Sequence, residues 1–320
     1  PDTYTVDYST AGQSLSIVYS DATKGWIPIS DDAVTDAPVA PPTQKAIFGY
    51  GLTGSGAVSM TNLVNSSGVV AVDVTGVGST RYGLAAATYG GDKGIFGYGE
   101  SSALSVTNLV NNSGVVATDT TGVGTARHSL AATDYGTDKA IFAYGTTNVS
   151  NLVSNSGVVA TDVTGVGTSR DFSKAAGYGS SGQAIFGYGS GPTAITNLVS
   201  NVGVVSADVS GVGTARFSLG AAGYGGDKAI FGYGQAPAVS SLTNLVSNTG
   251  VVAADVTGVG TARGGLTAAE YGGDKAIFGY GGGYTAVTNL ISNTGVCSTD
   301  VTGVGTARYN LAAAGFSYSA

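Results

Sequence analysis

Short apolar runs broken by glycine set the pattern of this chain. Ala-Ile-Phe-Gly-Tyr-Gly, Val-Thr-Asn-Leu-Val and Gly-Val-Val-Ala are β-branched or aromatic and bounded by turn residues, which predicts strands. Leu-Ala-Ala-Ala-x-Tyr-Gly has helical propensity, but it is short and flanked by glycine, so it also reads as strand. These segments recur together. Ile-Phe-(Gly/Ala)-Tyr-Gly begins at Ile47, Ile95, Ile141, Ile185, Ile230 and Ile277, at spacings of 48, 46, 44, 45 and 47 residues. Four short strands per period of this length predict a β-propeller blade; parallel solenoids, the competing architecture, usually have shorter repeats.

Within each repeat we label the Ala-rich segment a, the Ile-Phe segment b, the Asn-Leu-Val segment c and the Val-Val segment d. The first copy starts at segment b, Ile47, and the last ends on an unpartnered segment a, Leu311 to Phe316. Six of each segment are therefore present, permuted by one. The expectation is an all-β, six-bladed propeller over 45–320, closed by a C-terminal strand that completes the first blade and leaves no open edge.

The copies agree at fixed positions. From the Asn of segment c to the Asp after segment d is 11 residues in every copy, and from that Asp to an Arg is 8. The pairs are Asp73/Arg81, Asp119/Arg127, Asp162/Arg170, Asp208/Arg216, Asp255/Arg263 and Asp300/Arg308, and every Arg of the protein sits at this position. A ring of Arg is either an anion site or, bonded to Asp or to backbone carbonyls, a brace between blades; the matched Asp favours the brace. The Asp-Lys pairs before segment b, such as Asp92/Lys93 and Asp138/Lys139, read as solvated turn residues.

Length varies in one place. From the last Gly of segment b to the Asn of segment c is 11, 9, 6, 8, 10 and 8 residues, whereas the c–d and most a–b turns hardly change. In an up-and-down blade the b–c and d–a connections share one face, so one face is variable and the other uniform. Variable loops on a rigid scaffold are where recognition concentrates. Tyr82, His128, Asp171, Phe172, Phe217 and Tyr309 follow the Arg positions onto that face, and Glu100 and Tyr284 lie in b–c loops. These are the candidate ligand-binding residues. The competing reading is that they plug the channel mouth or pack under the loops. Repeat tyrosines such as Tyr98 and Tyr135 read as core or blade-interface residues.

Composition narrows the function. Of 320 residues, 53 are Gly and 10% are charged, and one Cys (Cys297) and one His (His128) exclude an internal disulfide framework, a cysteine zinc cluster and a multi-histidine metal site. No apolar run approaches the length of a membrane helix, so no membrane insertion is expected. Residues 1–44 carry six Asp and one Lys, whereas 45–320 carry 14 acids and 12 bases, which offers no electrostatic footprint for nucleic acid. The residues that break the repeat, among them Glu100, Asp134, Asp171, Lys174 and Glu270, contain no nucleophile–base–orienter set, with Asp134 and Glu270 expected at the end of segment a away from the variable face. No enzyme activity, metal or cofactor is expected, and Cys297 reads as a small buried hydrophobe in segment d.

The a–b–c–d order, with an Arg before segment a (Arg127, then Leu130-Ala131-Ala132) and an aromatic-glycine run ending segment b (Ile141-Phe142-Ala143-Tyr144-Gly145), resembles the kelch repeat. It departs from that repeat in using Gly-Tyr-Gly for the paired glycines and in lacking its Trp. A kelch-like copper oxidase would need several His and Tyr ligands and a modified Cys–Tyr pair, which one His cannot supply.

Residues 1–35 differ: Thr3–Tyr8, Leu15–Tyr19 and Trp26–Ile29 predict a small β-rich leader, joined by a Pro-rich linker at 36–44 to the propeller at 45–320. Leu-Ser-Ile-Val-Tyr-Ser and Gly-Trp-Ile-Pro-Ile-Ser look like segments that end modules of phage fibre and virion proteins. The array, with Asp-Lys-Ala-Ile-Phe-Gly-Tyr-Gly and Thr-Gly-Val-Gly-Thr-Ala-Arg, resembles Gly-rich kelch-like repeats of bacteriophage structural proteins. That resemblance implies a non-enzymatic protein on the virion surface, outside the cell, that binds a host-cell receptor, a glycan or a protein, through its variable loops. It further implies contacts with other virion proteins through the N-terminal segment and, by analogy with fibres, a homotrimer. The alternative role is purely structural, as a virion sheath, decoration or filament subunit.

Overall fold

The computed structural model describes residues 16–22, 25–30, 44–100 and 102–317. The chain divides into two units, 1–41 and 42–320. In the first, Ser16–Asp21 pairs antiparallel with Gly25–Ser30, and Tyr19 meets Trp26 edge-on with ring centres 5.4 Å apart. The predicted strand Thr3–Tyr8 and the linker as far as Thr43 lie outside the described residues. Gln44, read as the end of the linker, belongs to the second unit: it is buried, and its backbone and side-chain carbonyls accept from the N–H groups of Gly272 and Gly273.

The second unit contains six three-stranded antiparallel sheets and, among the described residues, no helix, an arrangement consistent with a six-bladed propeller. We number the sheets as blades 1–6, each with an inner, middle and outer strand. Blade 1 is Ala312–Phe316, Lys45–Thr53 and Gly56–Val64; blade 2 is Ala85–Tyr89, Lys93–Gly99 and Leu104–Val110. Blade 3 is Ala131–Tyr135, Lys139–Ala143 and Ser150–Val153; blade 4 is Lys174–Tyr178, Gln183–Gly189 and Thr193–Val199. Blade 5 is Gly220–Tyr224, Lys228–Gly232 and Thr243–Val246; blade 6 is Thr267–Tyr271, Lys275–Gly281 and Thr285–Ile291. The last strand of the chain pairs with the first strand of the unit, from Ala312 opposite Gly49 to Phe316 opposite Lys45.

The middle strands read as continuous apolar runs because both of their faces are covered. Ile47 packs with Phe96 and Leu84 of blade 2, whereas Phe48 packs with Ile277 and Tyr280 of blade 6. Each middle-strand Tyr meets the Phe of the next blade, as Tyr50 meets Phe96 with ring centres 5.1 Å apart. Glycine makes that approach feasible: a Cβ on Gly49 would lie 2.6 Å from Phe96 Cζ, and one on Gly97 would lie 2.7 Å from Phe142 Cζ. In blade 3 the equivalent residue is Ala143, and the Tyr144–Phe186 rings there stand 5.3 Å apart.

The blades have three strands, not the four expected. Segment d pairs with the outer strand only at isolated points, Val64 with Val70 and Thr61 with Val74 in blade 1, and likewise in the others. Between those points the Asn62 amide donates to Ala71 O (3.0 Å) and to Asp73 Oδ1 (2.9 Å). The side chain takes acceptors that a ladder would have given to the backbone, so the chain bulges away. One consequence is a rim of exposed valines, among them Val69, Val115, Val158, Val204, Val251 and Val296 at 61–65% exposure.

Candidate functional site

The six arginines are buried between blades. Arg127 donates from Nε to Tyr144 O (2.9 Å), from Nη1 to Thr125 O (3.1 Å) and from Nη2 to Asn151 Oδ1 (2.7 Å). Its guanidinium lies over the Tyr98 ring of the preceding blade, 4.4 Å from the centre. The other five repeat this arrangement, for example Arg81 over Tyr50 with its Nη2 on Asn108 Oδ1. Each Arg thus joins a ring of one blade to carbonyls of the next, and burial pushes its pKa down while nearby tyrosine and aspartate raise it. No such Arg has surface left for an external anion.

The Asp positions act differently from a simple ion pair. Asp119 accepts from the N–H and hydroxyl of Ser79, two residues before Arg81, so it clamps the segment entering its own blade. Its Arg is the one of that blade, Arg81, at 3.8 Å, rather than Arg127, eight residues on; Arg216–Asp255 (3.6 Å) and Arg308–Asp73 (3.9 Å) follow the same rule. Burial tends to raise the Asp119 pKa, but hydrogen bonds from Ser79 and Asn108 and the Arg81 charge outweigh it and hold it below the usual value. Asp162, Asp208 and Asp300 accept in the same way from Thr125, Thr168 and Thr261, and Asp73 and Asp255 from Thr306 and Thr214.

Sequence reasoning missed the two groups that complete this unit. Asn62, Asn108, Asn151, Asn197, Asn244 and Asn289 are fully buried, each accepting from an Arg through its oxygen and donating to an Asp through its nitrogen. The constant distance from Asn to Asp carried that signal. The tyrosines Tyr50, Tyr98, Tyr144, Tyr188, Tyr233 and Tyr280 all adopt φ between 63° and 66°, which turns each carbonyl toward Arg Nε. A side chain in that region costs about 1–2 kcal/mol, offset here by the stacked guanidinium and by the phenol bond to a carbonyl such as Val123 O.

The residues after each Arg meet the b–c loops on one end of the unit. Tyr82 pairs with Glu100, Tyr309 with Leu52 and Phe217 with Gln235, and Ser190 N donates to Asp171 O. Beneath them runs a circle of backbone hydrogen bonds: Gly83 N to Asn310 O, Asn310 N to Gly265 O, Gly265 N to Ser218 O, Ser218 N to Phe172 O, Phe172 N to Ser129 O and Ser129 N to Gly83 O. All six residues have φ between 51° and 67°; Gly83 and Gly265 accept it without cost and Asn310 readily, whereas Ser129, Ser218 and Phe172 do so at a cost.

Phe172 belongs to this circle, Tyr82, His128, Phe217 and Tyr309 each precede a member of it, and Asp171 precedes Phe172, while Glu100 and Tyr284 lie in the b–c loops. Tyr284 is exposed (46%) and meets the half-buried Tyr309 edge-on at 5.3 Å; Phe172 and Phe217 form a second pair at 6.2 Å. Glu100 Oε2 lies 3.7 Å from His128 Nδ1, and burial followed by the Glu100 charge raises the Tyr82 pKa. The Asp171 carboxylate accepts from Thr146 N in the b–c loop of the neighbouring blade, which ties that loop down.

Asp134 and Glu270 lie elsewhere, in the channel, with Thr88, Gly177, Gly223 and Gly315 at the equivalent positions of the other blades, around a cavity of about 50 Å³. Burial first, then the facing Asp134 charge, pushes the Glu270 carboxyl up to about 7, and burial raises Asp134. Lys174, half-buried at the start of the blade 4 inner strand, is pushed down to about 8 by desolvation. Cys297 is half-buried, its Sγ 3.4 Å from Tyr233 Oη. Among the described residues no three His, Cys, Asp or Glu side chains converge.

No protein-family model and no curated protein matches the chain. Among solved structures, a fungal alcohol oxidase of the AA5 family in complex with copper superposes with a TM-score of 0.51 at 13% identity, over 84% of this chain and 66% of its own. Virginiamycin B lyase from Staphylococcus aureus, a propeller, superposes with a TM-score of 0.50 at 11% identity, over 82% of this chain and 84% of its own. Both are enzymes, and at these identities the likeness to them is one of fold alone. The second unit shares the all-β, propeller-like architecture of these proteins.

Proposed function

We propose that residues 45–320 form a closed, kelch-like six-bladed propeller that works as a non-catalytic binding module on a virion surface, attaching to a host-cell receptor through its variable face. The observation that carries this reading is the joining of the variable b–c loops to the post-Arg residues above a hydrogen-bonded circle. Such a platform is rigid where the copies agree and variable where they differ, which is the division of labour of a recognition scaffold. Closure draws support from the sheet shared by the two ends of the unit. Replacing the b–c loops of blades 2 and 6 with the short loop of blade 3 tests the reading. Binding of the protein to host cells should be lost while the melting transition is kept; unchanged binding would overturn it.

A second reading, a structural sheath or filament subunit, is favoured by the exposed valine rim, which repeats around the propeller. Extensive propeller–propeller contacts through that rim in assembled particles would select it.

A further inference from the structure

We infer that the variable face takes an uncharged glycan and rejects saccharides bearing carboxylate, sulfate or phosphate; the inference rests on the receptor-binding reading above. Its basis is where the charges stand. Within residues 45–320 the bases are six Arg and six Lys. All six Arg are buried at 0–4% exposure, with their donors taken by carbonyls and asparagines. Lys93, Lys139, Lys228 and Lys275 pair with the aspartates of the a–b turns at the other end, where Lys45 also begins its strand. Lys174 is half-buried at the start of the blade 4 inner strand, two residues after Phe172, so it lies below the circle at the variable end. Apart from this recessed Lys174, no Lys or Arg among the described residues of this unit stands at the variable end.

Acids are presented there. Glu100 keeps 38% of its side chain exposed beside His128, and Asp171 is half-buried at the neighbouring loop junction. An anionic sugar would bring like charge toward both while the one Lys at this end, Lys174, is recessed below the circle, which penalises it relative to its neutral counterpart. A neutral sugar meets complementary chemistry instead. Its C–H faces stack on the exposed Tyr284 and its edge-on partner Tyr309, and its hydroxyls donate to carboxylates and accept from phenols. Gly264 has no side chain and Gly282 and Gly283 are exposed, so the approach to Tyr284 is open.

The test uses the full 320-residue chain on an array of neutral oligosaccharides paired with their carboxylated and sulfated counterparts, alongside binding to a broad panel of bacterial cells. Neutral members should bind at least tenfold more tightly than their anionic counterparts in 20 mM salt, with the gap narrowing at 0.5 M salt as charges are screened. The Glu100→Gln/Asp171→Asn double variant should narrow the gap at low salt, and Tyr284→Ala should weaken neutral binding. Equal or tighter binding of the anionic members overturns this inference and leaves the receptor reading standing. So does cell binding that protease abolishes and periodate leaves intact, which selects a protein receptor. Absence of binding to every cell and glycan overturns both.

Discussion

At the scale of single residues, the stability of the second unit rests on Arg side chains whose three nitrogens are all matched. The buried guanidinium is tolerable because Asn, two carbonyls and an aromatic face surround it, so removing one partner leaves a buried donor unpaired. Asn151→Ala should therefore lower the unfolding free energy by about 2–3 kcal/mol in urea titrations, although it deletes only an exposed-looking polar residue from the sequence pattern. Arg127→Lys should be comparably damaging, because an ammonium cannot span Tyr144 O, Thr125 O and Asn151 Oδ1. Glu270 works in the opposite sense. With its carboxyl raised from 4.5 to about 7, the folded state binds the extra proton, so the contribution of Glu270 to stability is full below pH 4.5 and is lost as pH rises through about 7. Thermal melts of Glu270→Gln should lose most of that decline and sit above the native protein at pH 8.

At the scale of elements, the blade interface is set by what glycine leaves empty. Gly97 faces a Phe142 ring atom that an added methyl would meet at 2.7 Å, whereas Gly54, in the first b–c loop, has nothing within 4 Å. Gly97→Ala should cost about 1–3 kcal/mol by denaturant titration and Gly54→Ala close to nothing. The loss of the fourth strand has an equally local origin. Segment d has strand composition, yet the Asn amide beside it intercepts the carbonyl of Ala71, and no periodicity of apolar residues reports an intercepted carbonyl.

At the scale of the whole molecule, two circles of backbone hydrogen bonds lie at opposite ends. The second joins a–b turns, through Gly90 to Asp138, Gly136 to Gly182, Gly179 to Asp227, Gly225 to Asp274, Gly272 to Gln44 and Ser317 to Asp92. Residues 311–317 contribute to both the blade 1 sheet and this circle. Deleting residues 311–320 should expose the edge of Lys45–Thr53 and produce dimers or larger species in light scattering, with a broadened unfolding transition. Acid should unfold the array as a unit: the aspartates Asp73, Asp119, Asp162, Asp208, Asp255 and Asp300 have lowered pKa values, so their contribution is present above 3.8 and lost as pH falls through the lower folded values. Circular dichroism against pH should show that loss below pH 4.

The repeat count, the strand nature of segments a, b and c, the permuted ends and the placement of length variation were legible in the sequence alone. Each depends on local composition or on counting along the chain, and six copies of one unit make such counting robust. Tertiary structure alone decided which Asp each Arg meets, because that partner belongs to the blade entered rather than to the adjacent stretch of sequence. It also decided that Asn and Tyr complete the brace, that segment d is not a full strand, and that Asp134 and Glu270 share one cavity. Those facts arise where a side chain takes a backbone partner or where distant blades face each other, and neither event leaves a period in the sequence.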